Sequence, residues 1–173
     1  PEAADALFLG GLDWLAVPDG CKTPVINLIQ GVRHANQTDP RYQFLSRRAI
    51  RICVSQEVER AIVATGRVNG PVTTIPLGLE FGKLPRPSAE RDISLLIAGL
   101  KQPALAKQLS AELTSAGIGN TCLTAPLPRQ EFLGLLGRAT VTVFLPCETE
   151  GFYLPALEGM AMGTLVVCPD CMG

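Results

Sequence analysis

The feature that most restricts this chain's fold is a repeated change of hydrophobic period. Short apolar runs of strand length alternate with stretches whose apolar residues recur at helical spacing, the signature of βα units joined into parallel sheets. Leu7-Phe8-Leu9 ends at Gly10-Gly11, and Pro24 to Ile29 runs toward Gly31. Ala49 to Val54 is followed by Ser55, a residue suited to a helix N-cap. Val58, Ala61, Ile62 and Thr65 then fall at i, i+3, i+4 and i+7, with Gly66 as the stop. Val72 to Ile75 makes a further strand, closed by Pro76-Leu77-Gly78. This part is expected to run strand after strand with helices between, as half of a doubly wound sheet.

From Phe81 to Glu90 the periodicity stops and Gly, Lys, Pro and Ser take over, so residues 81–90 read as a linker between 1–80 and 91–173. The alternation then resumes. Ile93 to Ala98 is a strand ended by Gly99, and Pro103 fits the first turn of a helix whose ridge is Leu105, Leu109 and Leu113, stopped by Gly117. Gly119 to Leu123, Thr140 to Leu145 and Thr164 to Val167 are strands. Pro128 to Gly137 and Leu154 to Met162 are helices. The expected class is α/β with two Rossmann-like parallel-sheet halves. The chain begins at Pro1 and stops at Cys171-Met172-Gly173 just after a strand, so it reads as a piece of something longer with an incomplete first half.

Composition narrows the function classes. Hydrophobic residues are 47% of the 173 and charged residues 18%, too apolar for disorder. A net charge of −1 without a basic run gives no field for nucleic acid or an anionic membrane surface. No apolar run approaches the ~20 residues of a transmembrane helix. Six cysteines scattered through apolar segments suit a reducing, cytoplasmic compartment. Cys168-Pro-Asp-Cys171 supplies only half of a structural zinc's ligand set, and free thiols in a turn are the preferred reading, so no metal is expected.

In an open parallel sheet, ligands bind beyond the carboxyl ends of the strands. The loops there are Gly99-Leu100-Lys101, Pro126-Leu127-Pro128 and Pro146 to Pro155. The last belongs to FLPCETEGFYLPALEGMAMG, residues 144–163, a strand end, an acidic loop and a proline-started helix. Glu150 and Glu158 are separated by seven residues. Backbone N–H groups at the helix start near Tyr153 and Leu154 favour an anion such as a diphosphate, and Gly151 permits close approach of a ligand. Two carboxylates beside a phosphate site suit sugar and ribose hydroxyls rather than phosphate. The segment therefore suggests a nucleotide-linked sugar. Singly, Glu158 is also what the helix dipole favours in a first turn, and Glu150 is also a solvated loop carboxylate.

Taken whole, Glu150-x7-Glu158 within EGFYLPALEGMAMG resembles the signature of retaining GT-B glycosyltransferases of the family 4 type. Ile75-Pro76-Leu77-Gly78-Leu79 is similar to that family's Ile-Pro-Asn-Gly-Val crossover between domains, with Leu77 in place of Asn. The resemblance implies that 1–80 is the end of an acceptor-side domain and 91–173 most of a donor-binding one. It implies Glu150 as the catalytic residue on donor-sugar hydroxyls and Glu158 on the ribose. Gly151 and Phe152 would present backbone N–H groups to donor oxygens, and Tyr153 and Leu154 would face the diphosphate. The implied reaction moves a sugar from a nucleotide-diphosphate sugar to an acceptor hydroxyl on a glycan or glycoconjugate, without metal or cofactor, in polysaccharide synthesis. The full-length protein would be cytoplasmic or peripheral at a membrane. Where the family carries Arg after the first donor-domain glycine, this chain has Leu100, so Gly99 and Lys101 are the donor-site candidates there.

The alternative reading is a non-catalytic module that binds nucleotide sugar or packs on a partner, with self-association through the incomplete sheet. His34, the single histidine, follows the second strand where related enzymes often have one; it is a candidate cleft residue beside the default of an incidental loop histidine. Arg47, Arg48 and Arg51 read as a solvated face, and Trp14 as packing.

Overall fold

Parallel pairing gathers the apolar runs into two separate sheets. The computed structural model describes residues 4–171. It divides into one unit made of the described residues up to Leu77 with Thr149–Phe152 and Cys171, and a second made of Gly78–Glu148 and Tyr153–Asp170. Among the described residues no helix is long and apolar enough to cross a membrane.

In the first unit β1 (Leu7–Gly10), β2 (Val25–Ile29), β3 (Ile50–Cys53) and β4 (Val72–Thr74) form a parallel sheet in chain order. The register Leu9↔Asn27↔Arg51 sets one buried face, which continues through Val25, Ile29 and Cys53. Helix α1 (Gln56–Ala64) covers it with Val58 and Ile62, both fully buried. Ser55 caps α1 as expected, its hydroxyl accepting from the Val58 N–H at 3.3 Å. Gly66 follows with φ +65°, a left-handed conformation that glycine adopts without strain.

The expectation of helices between all these strands fails. Only α1 forms; the other connections hold short 3-10 turns at Asp13–Ala16, Val32–Ala35 and Tyr42–Ser46. Pro18, Gly20 and Pro40 break these connections before a longer helix can grow. A side chain from β3 holds the last turn instead. Arg51 is fully buried, and its guanidinium donates to the carbonyls of Phe44, Leu45 and Arg47 at 3.0, 2.9 and 2.7 Å. It also reaches the carbonyls of Ala49 and Asn69. Carbonyls at a helix end lack helical partners, and a cation satisfies them. Arg47 likewise donates to the carbonyls of Trp14, Val17 and Pro18 and pairs with Asp19. Of the three arginines expected on a solvated face, only Arg48 is exposed. Trp14 is buried and stacks on Phe44, with the Arg47 guanidinium 5.0 Å from its ring centre.

The second unit comprises β5 (Ile93–Ala98), α2 (Pro103–Ser115), β6 (Thr121–Leu123), α3 (Arg129–Arg138), β7 (Ala139–Phe144), α4 (Leu154–Ala161) and β8 (Leu165–Val167). Its parallel sheet has the order β6-β5-β7-β8. The chain thus adds β6 on one side of β5, then crosses to add β7 on the other. Leu96, Leu133, Leu136 and Phe144 form the centre of its core, each nearly inaccessible. The expected α2 ridge keeps Leu109 and Leu113 but has Ala106 in place of Leu105. Leu105 is exposed, while Ala106 is fully buried with Leu109 and Leu113 packed behind it. The reason lies in Gly99, where an added Cβ would stand 2.1 Å from the Ala106 Cβ. Helix and strand end meet where neither has bulk. Of the 81–90 stretch, Phe81–Lys83 is a 3-10 turn, and Pro87 and Ser88 lie against Gly137 of α3.

Candidate functional site

The second sheet changes winding direction between β5 and β7, and such a switch point leaves a crevice at the carboxyl ends of the two strands. A cavity of about 250 Å³ opens there. Ala98, Leu100 and Lys101 line it from the end of β5, and Leu127, Arg129 and Phe132 from the segment after β6. Tyr153, Pro155 and Glu158 line it from the segment after β7. Gln102 ties two of these segments together, donating from Nε2 to the Pro146 carbonyl.

Glu158 lies one turn into α4 and is 5% exposed. It is therefore neither a surface carboxylate nor a mere complement to the helix dipole. Gly159 beside it lets α4 close on β7, since an added Cβ would meet the Phe144 ring at 2.8 Å. Tyr153, at the N-cap, packs edge-on against the same ring. Arg129 donates to Glu158 Oε1 from Nε at 3.0 Å and from Nη2 at 2.8 Å. This contact neutralises a carboxylate that burial would otherwise penalise. A small apolar cleft with one paired carboxylate, Lys101 and a helix start has the makings of a nucleotide site.

The candidates named from sequence fall into two groups. Lys101, Tyr153 and Glu158 line one cavity. Gly99 and Leu154 adjoin its lining at the end of β5 and the start of α4, and the Ala106 contact already accounts for Gly99 as a packing glycine. Glu150, Gly151 and Phe152 belong instead with the first unit. Glu150 is 8% exposed and bridges Gly31 beyond the end of β2, so it is not a solvated loop carboxylate. Gly151 allows a close approach, and what approaches is the protein's own chain. An added Cβ would stand 2.6 Å from both the Gln30 carbonyl and Val58 Cγ2. The Phe152 side chain packs on the Ile29, Leu45 and Ile62 cluster.

His34 is not on an open loop. It sits in the 3-10 turn that begins at Gly31 and is 5% exposed. Burial, with the positive charge of Arg41, lowers its pKa to about 4, so the ring is neutral at pH 7. Among the described residues no three His, Cys, Asp or Glu side chains gather as a metal would need, Cys168 and Cys171 included.

Arg129 and Phe132 were not singled out by sequence reasoning, whereas Leu127 lies in the Pro126-Leu127-Pro128 loop expected beyond a strand end. One signal was present. A cation in the first helical turn opposes the helix dipole, so an arginine directly after Pro128 has a reason other than helix stability.

Residues 56–173 match the family model described as glycosyl transferases group 1. No curated protein matches the sequence. Among solved structures, sucrose-phosphate synthase from Thermosynechococcus elongatus aligns with a TM-score of 0.63 at 15% identity, over 95% of this chain and 55% of that one. The chain thus spans about half the length of that enzyme. At that identity the likeness shows the fold, two Rossmann-type parallel-sheet halves of the GT-B kind.

Proposed function

Because the chain belongs to the glycosyl transferases group 1 family, we propose that its second unit binds a nucleotide-diphosphate sugar and that the protein passes the sugar to an acceptor hydroxyl with retention. One observation carries this reading: the buried carboxylate of Glu158 lines an otherwise apolar cavity at the switch point of the second sheet. A ribose hydroxyl donating to Glu158 would complete that carboxylate's bonding, and the apolar walls Leu100, Leu127 and Phe132 suit a base. Lys101 and the start of α4 at Tyr153 and Leu154 would face the diphosphate. By the family 4 motif, Glu150 would take donor-sugar hydroxyls, and Gly151 and Phe152 would offer backbone N–H groups.

In the transfer, the bond between the sugar's anomeric carbon and the diphosphate oxygen breaks. A bond from the same carbon to the acceptor oxygen forms on the same face, and the acceptor hydroxyl's proton passes to the leaving diphosphate oxygen. Charge grows on the leaving diphosphate, where a helix start and a lysine act without any metal. His34, uncharged at pH 7, would act in such a reaction only as a hydrogen-bonding group. A reducing cytoplasm suits six cysteines that are all free thiols, and a glycan or glycoconjugate acceptor suits the reaction class.

Titration calorimetry with UDP, GDP and ADP tests the donor site. One diphosphate should bind saturably, and Glu158→Ala should weaken it by about tenfold or more, the cost of a lost buried acceptor. Unchanged affinity in that variant would refute the assignment. Inversion at the anomeric carbon in the product of the full-length protein would refute retention.

A further inference from the structure

We propose that Arg33 binds an oxyanion carried by the acceptor, a phosphate or carboxylate group; the inference rests on the reading above that the donor's nucleotide belongs to the second unit. Among the described residues the half-buried arginines are Arg33, Arg41, Arg47 and Arg91. Arg41 pairs with Asp39, Arg47 pairs with Asp19, and Arg91 donates to the carbonyls of Ala139 and Met162. Arg33 alone has neither a hydrogen bond nor an ion pair among the described residues. A guanidinium has five donors and no acceptor, so partial burial without a partner is a cost that a ligand's oxygens would remove.

The position suits a ligand. Arg33 lies in the turn beyond the carboxyl end of β2, the side of a parallel sheet where ligands bind. Its side chain folds back over Gly31. An added Cβ there would stand 3.3 Å from Arg33 Nε, 3.7 Å from Nη2 and 3.0 Å from the Thr149 carbonyl oxygen. The missing Cβ therefore brings the guanidinium beside the segment that carries Glu150, which itself bridges Gly31. The carboxylate of the same connection, Asp39, is already taken by Arg41 at 2.9 Å.

Arg33, Thr149 and Glu150 all belong to the first unit, whereas Lys101 and the start of α4, assigned above to the diphosphate, belong to the second. With Glu150 on the donor sugar, the anion left for Arg33 is one that the acceptor brings. The planar fork of the guanidinium matches two oxygens of a phosphate or carboxylate.

The test reads the chain's single histidine by NMR. His34 follows Arg33 in the turn, and after burial the Arg33 charge is among those that keep its ring neutral. At pH 7 inorganic phosphate should shift the His34 ring resonances saturably, whereas sodium chloride at equal ionic strength should not. Arg33→Met should weaken phosphate binding by about tenfold or more, and Arg33→Lys, which keeps the charge without the fork, by about threefold. Whichever of UDP, GDP and ADP binds wild type should bind Arg33→Met within about twofold. A folded wild type without a saturable phosphate response overturns the proposal, as does an Arg33→Met chain that keeps it. A tenfold or greater loss of the diphosphate in Arg33→Met, at about 1.4 kcal/mol per tenfold, also overturns it, because Arg33 would then serve the donor. Should Arg33→Met fail to fold, an unchanged phosphate response in Arg33→Lys overturns it instead. A folded wild type that binds no diphosphate refutes the nucleotide reading, a result that the phosphate response at His34 keeps separate.

Discussion

Acidification should destabilise the first unit through a single histidine. In the folded protein the His34 pKa lies near 4, chiefly because burial penalises its charged form, with Arg41, Arg33 and Arg51 adding repulsion against the opposing pull of Asp39. In the unfolded chain the ring returns to about 6.5. The folded pKa is the lower one, so protons favour the unfolded state. The stabilisation is whole above pH ~6.5 and drains away as the pH falls toward ~4. At pH 5 the unfolded ring is nearly all protonated and the folded ring about a tenth, which amounts to roughly 2 kcal/mol lost relative to pH 7.5. The full gap is worth about 3 kcal/mol below pH ~4.

The reporter is built in. The chain has one tryptophan, and Trp14 lies in the core of the first unit against Phe44. Urea denaturation followed by its fluorescence, at pH 7.5 and pH 5, should show the midpoint falling in wild type and nearly level in His34→Gln. Asp39 does not confuse the window. Burial raises its pKa, but bonds from the Arg41 backbone and side chain outweigh this and hold it below the ordinary carboxylate range, so its contribution is lost only at lower pH. A wild-type midpoint independent of pH, or an equal fall in His34→Gln, would refute the reasoning.

Three further outcomes are expected. Arg51→Met should destabilise the first unit by about 3 kcal/mol or more, since several buried carbonyls lose their donor at once; a loss under ~1 kcal/mol by Trp14 fluorescence would show that water or rearrangement replaces it. Gly99→Ala should cost on the order of 1–3 kcal/mol by overpacking on Ala106, and the double variant with Ala106→Gly should recover most of it in thermal unfolding. Additive losses would mean the two do not meet. Ser55→Ala should cost about 1 kcal/mol by leaving the Val58 N–H without its cap, against a negligible change for Ser55→Asp.

Several strands were legible because a strand covered on both faces of a parallel sheet reads as a nearly continuous apolar run. Ile93 to Ala98 is such a run, and it became β5 with the same ends. α1 was legible at both ends through Ser55 and Gly66, whose effects act within a few residues. What was not legible depends on partners far along the chain. Nothing beside Arg51 tells that carbonyls from residues 44 to 69 will converge on it, although a lone arginine in the run Ile-Arg-Ile-Cys could only be buried if they did. Leu105 outranks Ala106 in hydrophobicity, and only the missing Cβ of Gly99 reverses their order. Glu150 and Glu158 were visible as a motif. Their assignment to different units was not, because the seven intervening residues carry no mark of where the chain passes from one set of contacts to the other.

The strand orders of the two sheets also set a timetable for folding during synthesis. In the first sheet each strand after β1 pairs with the one made just before it, so the edges offered by β1, β2 and β3 are covered by the next strand to appear. In the second, β5 gains β6 early but must wait for β7 on its other side, where Ile93 pairs with Ala139. At a ribosomal pace of ~5–20 residues per second, that edge of Leu95, Leu96 and Ile97 stands open for several seconds. An unpaired apolar edge invites pairing with another nascent chain. The crossing that creates the crevice between β5 and β7 thus also leaves one edge of β5 without its strand until β7 has been made.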